Sequence, residues 1–231
     1  MDILAKAVTI DWQWVEDHVS RGEKFDSAKD VSVKKALLEH AKKAFELARL
    51  KAKPKALIVK KKILKFNPGS VEIEGNILLS GKELSSYFKG ASEVYVFLAT
   101  VGDAIEKAAS IHMDNGDPLL GYLLDRTGSF AVESLAERIE NNIRQAIKSQ
   151  GLGLSMRLSP GYCDWPVEEQ LKLAEMIDFK KAGISLNEHC MMIPKKSISA
   201  IAGAGRKELF LSKKSQCSVC NLKKCDYRRI V

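Results

Sequence analysis

A chain of 231 residues, 45% hydrophobic and 29% charged, describes an ordinary globular protein that can bury a full core as one large domain or two small ones. No apolar run approaches the roughly 20 residues that span a bilayer, so a membrane protein is not expected. The net charge of +8 comes mostly from lysines scattered over helix faces without interleaved aromatics, which argues against nucleic-acid binding and for a solvated surface, with an acidic protein partner as the functional alternative.

Met1-Asp2-Ile3 opens without a charged-then-apolar signal, and five cysteines, three of them crowded near the end, suit a reducing compartment. A cytoplasmic protein is expected. Residues 3 to 19 hold Ile10-Asp11-Trp12 and a short helix through Val15 and His18. Asp26-Ser27 offer an N-cap for a helix from about Val31 to Lys51. Its positions Val33, Ala36, Leu37, Ala41, Ala44, Leu47 and Ala48 keep helical spacing. Pro54 ends that segment. Ala56 to Val59 and Lys62 to Leu64 read as strand, Asn67-Pro68-Gly69 as a turn, and Val71 to Glu74 and Ile77 to Leu79 as strands around Gly75-Asn76. Ser80 is placed to cap a short helix over residues 82–88. Glu93-Val-Tyr-Val-Phe-Leu98 is apolar nearly throughout, as a strand covered on both faces must be, and belongs at the centre of a sheet. Thr100 to Asp103 turn it into a helix over residues 104–112. Short strands with local turns favour an antiparallel or mixed sheet flanked by helices, and the α+β fold expected has a twisted, mainly antiparallel one.

Residues 119–149 read as mainly helix, broken around Thr127-Gly128-Ser129. Beyond that point Val132, Leu135, Ala136, Ile139, Ile143, Ala146 and Ile147 form one apolar stripe. Glu133, Glu137 and Glu140 fall beside one another, a like-charge crowding of about 0.2–0.5 kcal/mol per pair. They read either as a solvated edge, with Glu140 paired to Arg144, or as a face on which Glu133 or Glu137 meets a cationic ligand.

Arg157-Leu-Ser-Pro-Gly-Tyr162 then turns the chain sharply, because Pro160 fixes its own φ and Gly161 tolerates a positive one. Arg157 and Tyr162 lie on either side of the turn. A guanidinium grips a carboxylate through two parallel hydrogen bonds and a phenol adds a flat wall with one polar tip, so both can serve one small ligand. A structural turn with a surface Arg is the alternative. Pro166 begins a helix with the stripe Val167, Leu171, Ala174 and Ile177, and with Glu168 and Glu169 in its first turn. Gly183 closes that region. Met191 to Ile193 and Ser197 to Ile201 read as strands, His189 as structural, and Gly203-Ala-Gly205 as a site of close backbone approach.

The last residues differ in kind, and the chain divides into a domain over 1–210 and a Cys-rich tail over 211–231. Cys217-x-x-Cys220-x-x-x-x-Cys225 has metal-ligand spacing, although zinc and most iron–sulfur clusters take four ligands. Cys190, Cys163 or a partner's group would supply the fourth. Free thiols and a two-Cys redox pair remain the other readings.

Three motifs occur in a telling order: Val132-Glu133-Ser134-Leu135-Ala136-Glu137-Arg138, then Arg157-Leu-Ser-Pro-Gly-Tyr162 with Pro166, then Leu186-Asn-Glu188-His-Cys-Met-Met-Ile-Pro194-Lys-Lys-Ser197-Ile-Ser199. Over residues 120–205 the chain resembles the activation domain of cobalamin-dependent methionine synthase. Ile10-Asp11-Trp12 also has a counterpart near the start of that domain, a three-residue match that assigns Asp11 no role. The resemblance implies the activation-domain fold. The family polypeptide is far longer, so it also implies a free-standing reactivation module that acts in trans on a cobalamin-binding methionine synthase chain. Its ligand would be S-adenosylmethionine, with the carboxylate on Arg157, the ring of Tyr162 nearby, and main-chain contacts at Ser159 and Gly161. Acidic groups at Glu133 and Glu137 would meet the ammonium and sulfonium. The register brings the family's main acidic contact nearer Asn141, and its later Tyr falls at Ala202.

The implied chemistry is reductive methylation of cob(II)alamin. One electron comes from flavodoxin or another donor, and the methyl group is then taken by a strong nucleophile from a good leaving group. No general base is needed, so the protein aligns the reactants and excludes water. The cysteine tail has no family equivalent. Two other classes stay open: a reactivator of another corrinoid methyltransferase with the tail as a metal or iron–sulfur relay, and a noncatalytic zinc-bound basic adaptor. A parallel-sheet methyltransferase is disfavoured, since no Gly-rich strand-to-helix turn opens the chain.

Overall fold

The computed structural model describes residues 3–4, 8–22, 31–81, 84–162 and 165–210. In chain order they form β1 (Ile3–Leu4), α1 (Trp12–Gly22), α2 (Val31–Lys51), β2 (Lys55–Asn67), β3 (Ser70–Ile73), β4 (Ile77–Ser80), α3 (Leu84–Tyr87), β5 (Ala91–Thr100), α4 (Ala104–Asp114) and α5 (Pro118–Lys148). There follow β6 (Leu152–Leu154), a 3-10 turn Val167–Glu169, α6 (Gln170–Met176), α7 (Phe179–Ala182), β7 (Ser185–Leu186), β8 (Met192–Ile193), β9 (Ser197–Arg206) and a 3-10 turn Lys207–Phe210. No helix among the described residues is long and apolar enough to cross a membrane.

The expected α+β architecture is present. Among the described residues a seven-stranded sheet runs β4-β3-β2-β5-β9-β6, with β1 also on β2, and its ladders are antiparallel. β2 is long enough to serve two neighbours along one edge: Leu57 and Ile58 pair with β1, while Ile63 to Asn67 pair with β3. β7 and β8 form a separate hairpin.

β5 lies between β2 and β9, as its apolar run predicts. Successive strand residues point to opposite faces, so its side chains feed two cores. Tyr95, Phe97 and Ala99 join the layer built from α1, α2, α4 and α5, and Val94, Val96 and Leu98 join the layer of β3, β4, α3, α6 and α7. Phe97 and Leu98 have no exposed surface, and each such burial stabilises the fold by about 1.5–3 kcal/mol.

Helix α2 has the predicted bounds, and its stripe deepens from half-buried Leu37 and Ala41 to buried Ala44 and Ala48, while Val33 and Ala36 are exposed. The expected Asp26-Ser27 cap and the tail from residue 211 lie outside the described residues. Helix α5 is one continuous element and has no break at Thr127-Gly128-Ser129. Thr127 and Ser129 donate their hydroxyls to the carbonyls of Leu123 and Asp125, at 2.7 and 3.1 Å, so they are satisfied inside the helix. Gly128 is small for packing: a Cβ there would lie 2.9 Å from Cγ2 of Ile105. The α5 stripe is buried as predicted except at Ala146, which faces out.

Ser80 ends β4 and its hydroxyl accepts the Lys172 ammonium at 3.3 Å, while residues 82 and 83, where its expected cap would act, lie outside the described residues. One other local expectation is corrected. The stripe after Pro166 is rotated, with Gln170, Leu173, Met176 and Ile177 buried and Leu171 and Ala174 exposed. A 3-10 turn precedes α6, and its three-residue period shifts the face presented inward.

Close approach at the predicted glycines is real. A Cβ on Gly205 would collide with the Gly90 carbonyl oxygen, and one on Gly203 would sit 2.9 Å from Cδ1 of Phe88. Gly205→Ala is expected to destabilise by about 1–3 kcal/mol, read as a lower urea midpoint with an unchanged slope. Tyr95 gives a second prediction. Burial, reinforced by Glu93, whose carboxylate accepts the phenol at 3.1 Å, pushes the phenol up to about 12. A raised folded pKa stabilises below the unfolded value of 10.0 and is lost as pH rises toward about 12. The stability advantage of wild type over Tyr95→Phe should therefore fall across that window in denaturant titrations.

Candidate functional site

The segment after β6 is strung along β9. The Ser155 amide donates to the Gly203 carbonyl at 2.8 Å and its hydroxyl accepts the Gly203 amide at 2.9 Å. Three residues on, Leu158 and Ile201 exchange two amide–carbonyl bonds of 2.9 Å. Held between these ties, Arg157 is 8% exposed and faces the acidic edge of α5. Its Nη2 donates to Oε2 of Glu133 at 2.6 Å, and its Nη1 lies 3.8 Å from Oε2 of Glu140. Glu140 in turn accepts Nη2 of Arg144 at 2.7 Å, and Arg144 also donates to the carbonyls of Leu154 and Ser155 at 2.6 and 3.1 Å. The predicted Glu140–Arg144 pair exists, and it doubles as a staple between α5 and the segment that carries Arg157.

Nη1 of Arg157 is buried and has no hydrogen-bond partner among the described residues. A buried donor left unsatisfied costs about 1–3 kcal/mol, more when charged. Such a donor suits an anionic or carbonyl oxygen. Charge-assisted bonds to a guanidinium are the stronger class, and two in parallel fix orientation.

The Pro-Gly corner forms as the residues dictate. Gly161 has φ +87°, its amide donates to the Trp165 carbonyl at 2.8 Å, and the Tyr162 amide donates to the Ser159 carbonyl at 3.2 Å. The Gly161 amide is thus engaged within the turn, while the Ser159 carbonyl keeps a second lone pair. Ser159 is buried, and Tyr162 is 57% exposed.

Glu137, one turn along from Glu133, looks elsewhere. It lines a groove of about 500 Å³ between the start of α1 and α5, with Asp11, Trp14, Arg138, Asn141 and Asn142. Asp11 is built into its wall: Oδ1 accepts the Trp14 amide at 3.1 Å as the cap of α1, Oδ2 accepts Arg138 at 3.1 Å, and the Asp11 amide donates to Ser134 at 2.9 Å. The Trp14 amide, aided by Arg138, holds the Asp11 carboxyl below its usual value of 3.8. Sequence reasoning quoted Asp11 without assigning it a role. The available signal was an Asp at the N-cap position of a helix whose inward residues are Val15 and Val19. At Ala202 the side chain opposite, across the β5–β9 ladder, is Tyr95.

The late motif serves mainly to fasten elements. The Ser197 hydroxyl donates to Thr100 at 2.9 Å and the Ser199 hydroxyl to Gln170 of α6 at 2.7 Å. Asn187 accepts the amides of His189 and Met191, which shapes the tight β7–β8 turn where Cys190 is buried with φ +58°. Among the described residues no group of three or more His, Cys, Asp or Glu could hold a metal, and Cys163, Cys217, Cys220 and Cys225 lie outside them.

An antiparallel sheet with an Arg–carboxylate cluster between its long helix and a Pro-Gly turn is the class that fold and site define. Residues 87–213, more than half of the chain, match the family described as vitamin B12 dependent methionine synthase, activation domain, and the chain belongs to that family. The fold is similar to a crystal structure of the MetH reactivation domain bound to AdoHcy, with TM-score 0.63 and 16% identity over 88% of this chain and 77% of that chain. At that identity the likeness shows the fold. No curated protein matches the chain.

Asp11→Ala removes the cap of α1 and should cost about 1 kcal/mol, whereas Asp11→Asn keeps an acceptor and should cost less. Because the folded pKa of Asp11 is lowered, its ionic contribution is present above the unfolded value and lost as pH falls through the folded one. The gap between wild type and Asp11→Asn should close in acid, which thermal melts across that range will show.

Proposed function

We propose that this chain binds S-adenosylmethionine at the Arg157 cluster and serves as a reactivation module for cobalamin-dependent methionine synthase, acting in trans on cobalamin held by another chain. The observation that carries the reading is the buried Nη1 of Arg157, a charged donor without a hydrogen bond among the described residues although Oε2 of Glu140 lies 3.8 Å away, next to an Nη2 already held by Glu133. The ligand's carboxylate fits that donor, and its ammonium and sulfonium fit Glu133 and Glu137. Tyr162 adds a ring surface, the Ser159 carbonyl and Gly161 backbone add main-chain contacts, and Asp11 and Asn141 extend the polar lining beyond Glu137. Family membership and the AdoHcy-bound relative support the choice of ligand.

Bound S-adenosylmethionine supplies a methyl group on a good leaving group. The residues of this chain hold its amino-acid end and keep water from it, and none need act as a base. Reductive methylation of cob(II)alamin also takes one electron. An acidic flavodoxin-type donor is supported by the net charge of +8, since opposite potentials speed encounter. We place this activity in the domain over 1–210, in the cytoplasm, where the cysteine usage fits.

The spacing Cys217-x-x-Cys220-x-x-x-x-Cys225 favours a second reading, a reactivator of another corrinoid methyltransferase whose tail relays electrons through a metal centre. Iron with acid-labile sulfide in the purified protein would select it. Stoichiometric zinc without S-adenosylmethionine binding would select a noncatalytic adaptor instead.

Calorimetric titration of S-adenosylmethionine into wild type and Arg157→Ala tests the main reading. Wild type should bind, and the variant should lose at least about thirty-fold in affinity, as expected when one partner of a buried charge pair is truncated. Absence of binding to wild type, even with a cobalamin-loaded partner present, would overturn it. The in-trans role requires that the purified chain restore turnover to a cob(II)alamin-inactivated methionine synthase that lacks its own activation domain.

A further inference from the structure

Glu169 is a carboxylate in an unexpected place. The sequence places it in the first turn of a helix, and in the structure it is 7% exposed. Three donors converge on it from different parts of the chain: the Ser80 amide at the end of β4 (2.9 Å), the Trp165 indole (3.3 Å) and the Lys172 ammonium (2.6 Å). An ionised carboxylate is the side chain that can accept so many, being acceptor-only with about four lone-pair sites. Trp165 is itself 4% exposed and packs against Gly81, where a Cβ would lie 3.4 Å from its ring.

Trp165 also closes the Pro-Gly turn. Its carbonyl accepts the Gly161 amide at 2.8 Å and its amide donates to the Tyr162 carbonyl at 3.1 Å. The turn is therefore fixed at two ends by different means. Leu158 is bonded to Ile201 of β9, and Trp165 is held by Glu169 against β4. Arg157 belongs to the first anchorage and Gly161 and Tyr162 to the second.

We propose that Glu169 is a positioning residue for the candidate ligand site: through Trp165 it sets the half of the turn that carries Gly161 and Tyr162. The inference rests on the reading of Arg157 to Tyr162 as a ligand site. Lys172 completes the device, since it bonds both Glu169 and the Ser80 hydroxyl and so ties α6 to β4 at the same point.

The test uses Glu169→Ala, Trp165→Phe and Glu169→Gln in the full chain, with amide hydrogen exchange by NMR and S-adenosylmethionine affinity by calorimetry. Trp165→Phe keeps the ring and removes the indole donor, so it decides the matter if Glu169→Ala does not fold. In the first two variants the Gly161 amide should exchange at least about ten-fold faster while Val96 and Leu98 in β5 keep wild-type rates, the pattern of a local opening. Affinity should fall about ten-fold or more, and Glu169→Gln, which retains one acceptor oxygen, should restore most of both. Unchanged Gly161 exchange in Trp165→Phe would overturn the clamp. Faster exchange at Val96 as well would reduce Glu169 to a general fold contact and overturn it too. Wild-type affinity in Trp165→Phe, despite a loosened Gly161, would overturn the positioning role. If wild type binds no S-adenosylmethionine yet Gly161 exchange responds as stated, the ligand reading falls and the clamp on the turn stands.

Discussion

The β5–β9 ladder is the constraint on which the rest of the molecule depends. It runs from Ala91↔Gly205 to Thr100↔Ser197, nearly the full length of both strands. On its far edge β9 then receives β6, Ser155 and Leu158. Because side chains alternate along a strand, a shift of one residue in this pairing would exchange the two cores and turn every buried side chain of β9 to the wrong face. Gly203 and Gly205 belong to the same constraint, since the chain crosses Phe88 and Gly90 too closely for side chains. What looks like a stretch of small residues is the rail along which the site-bearing segment is laid.

The helical layer supplies the other half of the candidate site. Leu135, Ala136, Ile139 and Ile143 bury one face of α5 in the core, and on another face Glu133, Glu137 and Glu140 are partly exposed. Their mutual repulsion is offset by neighbours rather than by solvent alone: Arg157 takes Glu133 and Arg144 takes Glu140. The crowding visible in the sequence is thus the trace of a charge network with one cation from the next turn of the same helix, Arg144, and one from the segment after β6, Arg157.

Much of this was legible locally, for identifiable reasons. The β5 segment announced itself because a strand covered on both faces must be apolar throughout, and α2 because helical spacing persisted over its length. The Pro160-Gly161 corner needed no tertiary information. What escaped were features decided by distant partners. Thr127-Gly128-Ser129 looks like a break until Ile105 is placed against Gly128. Glu169 reads only as a first-turn helix residue until Ser80 and Trp165 are placed against it. Asp11 looks like a plain cap until α5 is laid beside it to form a groove with Glu137. The Arg157–Glu133 contact joins positions whose pairing no periodicity reveals, although the ordered family motifs contained both.

Helix α5, at 31 residues and about 1.5 Å per residue, spans roughly 46 Å as a single rod cemented into the core. The carboxylates it presents cannot shift without moving that whole layer. The other part of the candidate site is a short corner of Pro, Gly and a solvent-facing Tyr held by two fastenings, so the candidate site joins a long rod to a short turn. On the proposed reading, adaptation to ligands of different size would be absorbed by the corner, and a preference for cationic groups would be set by the rod. Evolutionary change in what the domain accepts should accordingly accumulate around the corner and its fastenings, and the acidic positions should stay fixed even as the core behind them is repacked.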